Sequence, residues 1–114
     1  MNNENLRRGK WRTGGMTRTV LPAENDLPIP EPPARAEFWS DAMLVEWVNL
    51  WQSPSSTLWD TSAVGLVALL VELEACGPEL SAAQLTEVRR LRESLLLTPA
   101  SLSGAGYALE GWPG

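Results

Sequence analysis

The sequence predicts an all-α fold: a small helical bundle of three main helices with a disordered basic N-terminal arm, built to form an oligomer. Three observations predict it. Apolar residues recur at helical spacing in three separate stretches, and none shows the strict alternation of a half-buried strand. Proline and glycine fall between those stretches, where they interrupt regular backbone. One stretch, Ala63 to Leu73, is apolar nearly all round, and three helices alone cannot enclose such a surface.

Residues 1–33 read as the arm. They lack periodicity, and Pro22, Pro28, Pro30, Pro32 and Pro33 favour extended backbone without donors. Disorder is expected up to about Leu21, followed by a stiff spacer to Pro33. Residues 34–103 read as the helical oligomerisation domain. Its first helix covers 34–52, where Trp39, Met43, Trp47 and Trp51 recur every fourth residue. Leu44, Val48 and Leu50 widen that stripe, and Asp41 and Asn49 lie opposite. Pro54 stops the helix, because the residue before a proline avoids the α region. A single turn over 55–59 then ends on Trp59.

Asp60 is the expected N-cap of the second helix, which runs to Cys76 and ends at Gly77-Pro78. Ser81 and Gln84 have the spacing of a capping box. The third helix that follows places Leu85, Val88, Leu91, Leu95 and Leu96 on one face. Thr98-Pro99 breaks it and starts a short turn, with Thr98 as cap and Pro99 in the first helical position. Residues 104–114, rich in glycine, read as a loop-like C-terminal tail.

Composition excludes much chemistry. The 114 residues include no histidine and one cysteine, Cys76. No His-based triad, intramolecular disulfide or Cys-cluster zinc site can be built from them. Carboxylates are plentiful, but no spacing singles out a catalytic pair. Gly14-Gly15 lacks the Lys-Ser/Thr of a phosphate-binding loop. We therefore expect no enzyme, no cofactor and no metal. The longest apolar stretch falls well short of the ~20 residues of a membrane span. No apolar run follows Arg7, Arg8 and Lys10, so neither membrane insertion nor export is expected.

Charge is divided unequally. Residues 1–20 carry five basic groups (Arg7, Arg8, Lys10, Arg12, Arg18) against Glu4, a net +4; the remainder carries −9 of the overall −5. An acidic body repels DNA, so phosphate contacts must come from the arm or from the cluster Arg89, Arg90, Arg92. Trp11, between Lys10 and Arg12, suits base stacking, and it reads equally as a chance aromatic in a disordered tail. Arg90 points away from the apolar arc and reads as solvated. Arg92 falls within the arc and needs an acidic partner: Glu72, Glu74 or Glu46, within or between subunits. The tryptophan stripe reads first as helix–helix core. An ordered part of only about 75 residues is marginal when folded alone, which also argues for association.

One ordered set of segments resembles a known family. Trp47-Val48-Asn49-Leu50-Trp51-Gln52-Ser53-Pro54 is followed by Trp59 and the long apolar helix. Glu87-Val88-Arg89, Leu91-Arg92 and Leu97-Thr98-Pro99 come after it. Over residues 30–103 this order resembles the small terminase subunits of tailed phages, particularly those of actinobacterial phages and prophages. Leu96 stands where that family more often has glycine. Ala100-Ser101-Leu102-Ser103-Gly104 replaces its arginine-rich turn.

The resemblance implies a non-enzymatic DNA-recognition and regulatory component of a viral packaging motor, working in the cytoplasm of a bacterial host. It implies a ring that binds double-stranded viral DNA and works with the large terminase subunit, which carries the ATPase and nuclease. The expected DNA-binding residues are Arg7, Arg8, Lys10, Trp11, Arg12, Arg18, Arg89 and Arg90. The expected contacts between copies are Trp47, Trp51, Trp59, Leu66, Leu70, Leu73 and Arg92. The rival expectation is a small protein-interaction adaptor, a virion connector or regulatory subunit, with no DNA role.

Overall fold

Pro54 and Gly77 interrupt the chain where helical backbone cannot continue, and the helices fall between such breaks. The computed structural model describes residues 10–13, 16–23 and 25–111. It is mostly helical. Helix α1 spans Asp41–Trp51, α2 Ala63–Ala75 and α3 Ala82–Ser94, with a short α4 at Pro99–Gly104. Short 3-10 turns occupy Ala34–Phe38, Pro54–Leu58 and Gly77–Glu79. Helix α2 packs against both α1 and α3.

Each helix starts on a capping side chain or a local turn. The Ser81 hydroxyl accepts from Gln84 N at 3.1 Å, and Gln84 Oε1 accepts from Ser81 N at 2.9 Å. This is the expected capping box. Thr98 caps α4 in the same way with Ser101, and Pro99 takes the first helical position. Two starts differ from expectation. The helix expected over 34–52 is divided, because Trp39 is extended and the Ser40 hydroxyl accepts from Met43 N at 3.2 Å. Ser40 supplies a better cap than anything upstream, and Asp41 adds a negative charge in the first turn. Asp60 Oδ1 accepts from Ser62 N at 2.8 Å and from its hydroxyl at 2.5 Å. It closes a local turn two residues on, and Ser62 takes the cap position instead.

Four tryptophans form the spine of the bundle. Ring centroids lie 5.8 Å apart for Trp39–Trp47, 5.7 Å for Trp47–Trp51 and 5.0 Å for Trp51–Trp59, the last edge-on. Tilted and edge-to-face pairs of this kind stabilise by about 0.5–1.5 kcal/mol beyond burial alone. Three of the indoles also tie separate segments together. Trp39 Nε1 donates to Glu72 on α2 at 3.0 Å, Trp47 Nε1 to the Pro30 carbonyl at 2.9 Å, and Trp59 Nε1 to the Leu95 carbonyl at 2.9 Å. Val67, Ala68, Leu70, Val71, Leu91 and Leu95 complete the core around the spine.

The largest departure from expectation is a sheet, where the sequence shows no strand pattern. Strand β1 (Lys10–Thr13) pairs antiparallel with β2 (Met16–Leu21), and β2 pairs parallel with β3 (Tyr107–Leu109). Thr19 lies opposite Tyr107 and Leu21 opposite Leu109. The sequence places Met16–Leu21 in the arm, yet Leu21 is 1% exposed. The C-terminal tail supplies its partner strand. The spacer beyond β2 also lies on the bundle, through the Trp47–Pro30 bond and through Asn25 Nδ2, which donates to Ser53 O at 3.0 Å. The reason is non-local. Each strand is too short to show a period, and although β1 and β2 are neighbours in sequence, β3 comes from almost ninety residues away.

Candidate assembly face and apolar cleft

Helix α2 is apolar on nearly every side because its inner arc meets the chain's own helices. Val67, Ala68, Leu70 and Val71 are enclosed there. Leu70, with Trp47 and Trp51, was expected to contact a second copy. All three are core residues of a single chain, with Leu70 0% exposed, because α1 and α3 flank α2 and because Trp39, Trp59 and the Pro30 carbonyl lie against the two indoles. The outer arc is different. Leu66 and Leu69 remain 42% and 38% exposed, Gly65 is exposed and Leu73 is half-buried. At 100° per residue these four positions form one face. Of the expected contact residues, Leu66, Leu73 and the half-buried Trp59 therefore keep accessible surface. Leu69 joins them unforeseen.

Arg92 behaves as its place in the apolar arc requires. Its Nε and Nη2 donate to the two carboxylate oxygens of Glu74 at 2.6 and 2.8 Å, within one chain. Glu74 raises the Arg92 pKa further above its ordinary value, with partial burial acting the other way. A second two-pronged pair was not foreseen. Arg35 Nε and Nη2 donate to Glu72 at 2.7 and 3.0 Å, and the Trp39 indole shares the same carboxylate. Glu72 is held below the usual carboxylate range, by Arg35 first and Trp39 after burial's opposing effect. Such a network needs two segments more than thirty residues apart brought together, and the sequence shows only the residue types.

The basic residues are dispersed. Arg7 and Arg8 lie outside the described residues, and Lys10, Trp11 and Arg12 are described as the backbone of β1 alone. Arg89 and Arg90 are exposed on α3, with no ion pair among the described residues. Arg18 is committed elsewhere: its Nη1 donates to the Ser103 hydroxyl at 2.7 Å and to its carbonyl at 3.1 Å. It therefore fastens β2 to the C-terminal turn of α4, where a cation meets carbonyl oxygens favourably.

Arg18 also lines a cleft of about 480 Å³ between β3, α4 and the segment Leu96–Pro99. Its walls include Pro54, Leu96, Leu97 and Leu102. Leu96 adopts φ +59°, a left-handed conformation that costs an L-residue about 1–2 kcal/mol. The Ser55 hydroxyl holds this reversal by donating to the Leu96 carbonyl at 2.5 Å. A smaller groove of about 410 Å³ lies between the Pro28–Pro30 segment, Trp51 and Trp59. Trp51 Nε1 is buried with no acceptor among the described residues.

No group of three or more acidic, cysteine or histidine side chains among the described residues could hold a metal ion. No described helix is long and apolar enough to cross a membrane. No family model, curated protein or solved structure matches this chain.

Proposed function

We propose that this chain is a non-enzymatic subunit of the small-terminase type: it assembles as a ring, recognises viral DNA in the host cytoplasm and works with a large ATPase–nuclease subunit. The observation that carries the proposal is the outer face of α2. Gly65, Leu66, Leu69 and Leu73 leave an apolar stripe uncovered on the helix that forms the centre of the core. A stripe of this kind is buried most simply against another copy. The order of the Trp-x3-Trp, Glu-Val-Arg and Leu-Thr-Pro segments, the basic leader and the exposed Arg89 and Arg90 support the DNA role. Repetition around a ring would multiply a few charges per copy into usable affinity.

A rival reading is favoured by one contact. Arg18 is fastened to Ser103 in the apolar cleft, which holds this cation at a site that Arg89 and Arg90 do not line. On an acidic body this favours a protein adaptor without a DNA role.

Light-scattering mass combined with a DNA mobility shift at two salt concentrations tests both readings. The wild-type chain should be oligomeric and should retard DNA at low salt, with retardation falling steeply as salt rises. Leu69→Asp should yield monomers with unchanged helical content and weaker retardation. Deletion should stop at residue 9, because β2 belongs to the fold, and should weaken DNA binding without changing the assembled mass. An oligomer that retards no DNA at either salt would select the adaptor. A wild-type monomer at micromolar concentration would remove the ring.

A further inference from the structure

We propose that the cleft beside β3 receives an extended peptide segment of a partner protein. The segment carries alternating apolar side chains and one carboxylate, and adds as a strand to the open edge of the sheet. This inference stands apart from the DNA-packaging reading and holds whichever of the two functional readings is correct.

The edge comes first. The strand order is β1-β2-β3, so β3 has a neighbour on one side only among the described residues. Thr19 N donates to the Gly106 carbonyl at 2.8 Å, and Glu110 N donates to the Leu21 carbonyl at 2.9 Å. Those bonds point residues 106 and 110 toward β2. Backbone groups alternate along a strand, so the N–H and C=O of Tyr107 and Leu109 point away from it. They offer a partner strand two donors and two acceptors. Tyr107, Ala108 and Leu109 all line the cleft. Consecutive strand residues face opposite sides of a sheet, so a cavity touched by all three runs along the strand's open edge.

The walls define the side chains. Pro54, Leu96, Leu97 and Leu102 present apolar surface, which suits alternate apolar residues of an added strand. Charge defines the rest. Arg18 is the only charged residue lining the cleft among the described residues. Both of its hydrogen bonds use Nη1, and no carboxylate lies within ion-pair distance among the described residues. Its Nε and Nη2 have no hydrogen bond among the described residues, which leaves them to take one carboxylate in a charge-assisted pair. The strained Leu96 forms part of the wall, and strained backbone collects at ligand clamps.

The test selects from a library of random octapeptides displayed on beads, using the full chain. Selected peptides should alternate apolar residues and carry an acidic residue. Their binding should protect the Tyr107 and Leu109 amides from hydrogen exchange. Arg18→Gln should weaken them about tenfold, the range of one charge-assisted bond. Ser103→Ala removes the tether but keeps the charge, and should retain binding within about threefold. Both variants are checked for unchanged circular dichroism. An empty selection would overturn the proposal. So would peptides that ignore Arg18→Gln, or that bind without protecting those two amides. Octanoate serves as the small-amphiphile probe. Displacement of the selected peptides by octanoate at equal or lower concentration would reassign the cleft to a small ligand and overturn the peptide reading.

Discussion

The helical bundle and the sheet end are held by different means. The bundle is sequence-local: Trp39, Trp47, Trp51 and Trp59 contact one another along a short stretch of chain. The sheet end joins Met16–Leu21 to Tyr107–Leu109, and it relies on a few long-range hydrogen bonds and a strained turn at Leu96. Aromatic and aliphatic burial dominates in the first and backbone pairing in the second. The bundle should therefore be the stability centre, and the sheet end the part that opens first.

The largest effect is expected at the spine. Trp47 is 2% exposed, touches two other rings and holds Pro30. Trp47→Ala should cost about 3–5 kcal/mol, the range for deleting a buried large aromatic. Urea denaturation followed by circular dichroism measures it. A loss near 1 kcal/mol would mean that the spine does not dominate the bundle.

Leu21→Ala tests the other region. If residues 16–21 belonged to a free arm, the change would have no effect on stability. Leu21 is buried against β3 and the turn after α1, so a loss of about 2–3 kcal/mol is expected. Hydrogen exchange should also show the amides of β2 and β3 opening faster in this variant while those of α2 keep their protection. Uniform acceleration across both regions would show that they unfold as one unit.

This contrast also explains what the sequence made legible. Helical spacing revealed all three helices, since apolar positions three and four apart report a packed face. Cap chemistry located Ser81 and Thr98, since those bonds close within three residues. The need of Arg92 for a carboxylate was legible from its position, because a cation in an apolar arc needs one, but its expected place between copies was not, since Glu74 belongs to the same chain. Ser40 was missed because a tryptophan stripe continued across it from Trp39. The β2–β3 pairing, the Arg18–Ser103 tie and the cleft were missed because each needs residues far apart in the chain; β1 and β2 are neighbours in sequence and were missed because each is too short to show a period. The same periodicity argument overreached at Leu70. An all-round apolar helix shows that cover is needed, but it does not say which arc the chain covers itself.

Acid separates the regions in another way. Within the bundle, Glu72 is bound by Arg35 and Trp39 and is held below its ordinary value of 4.5. The folded-state value lies below the unfolded one. The contribution is therefore fully present above pH 4.5 and is lost as pH falls through the lower folded-state value. Urea midpoints taken from about pH 6 down to about pH 3 should fall more steeply for the wild type than for Glu72→Gln. Parallel profiles would remove this carboxylate from the acid response. Among the described residues no acidic side chain lines the cleft at the sheet end, so Arg18→Gln should leave the profile's shape unchanged.

The smallest effect is expected where the two regions meet. Leu95 and Leu96 are neighbours at the end of α3, and their substitutions should behave differently. Leu95 is 3% exposed within the core, so Leu95→Ala should cost about 2–4 kcal/mol. Leu96 is half-buried and holds φ +59°. Leu96→Gly relieves about 1–2 kcal/mol of left-handed strain. It also gives up about 1 kcal/mol of partial burial and up to about 1 kcal/mol of chain entropy. These contributions nearly cancel, so the variant should lie within about 1 kcal/mol of the wild type. Equal losses at the two positions would show that Leu96 acts as core and that its backbone carries no strain. A neutral glycine at 96 beside a costly alanine at 95 would place the boundary between the bundle and the sheet end at this single peptide. The Ser55 hydroxyl bond to the Leu96 carbonyl should survive the glycine substitution, since it uses only the backbone of residue 96. Ser55→Ala should therefore cost the same in the wild-type and Leu96→Gly backgrounds, to within about 0.5 kcal/mol.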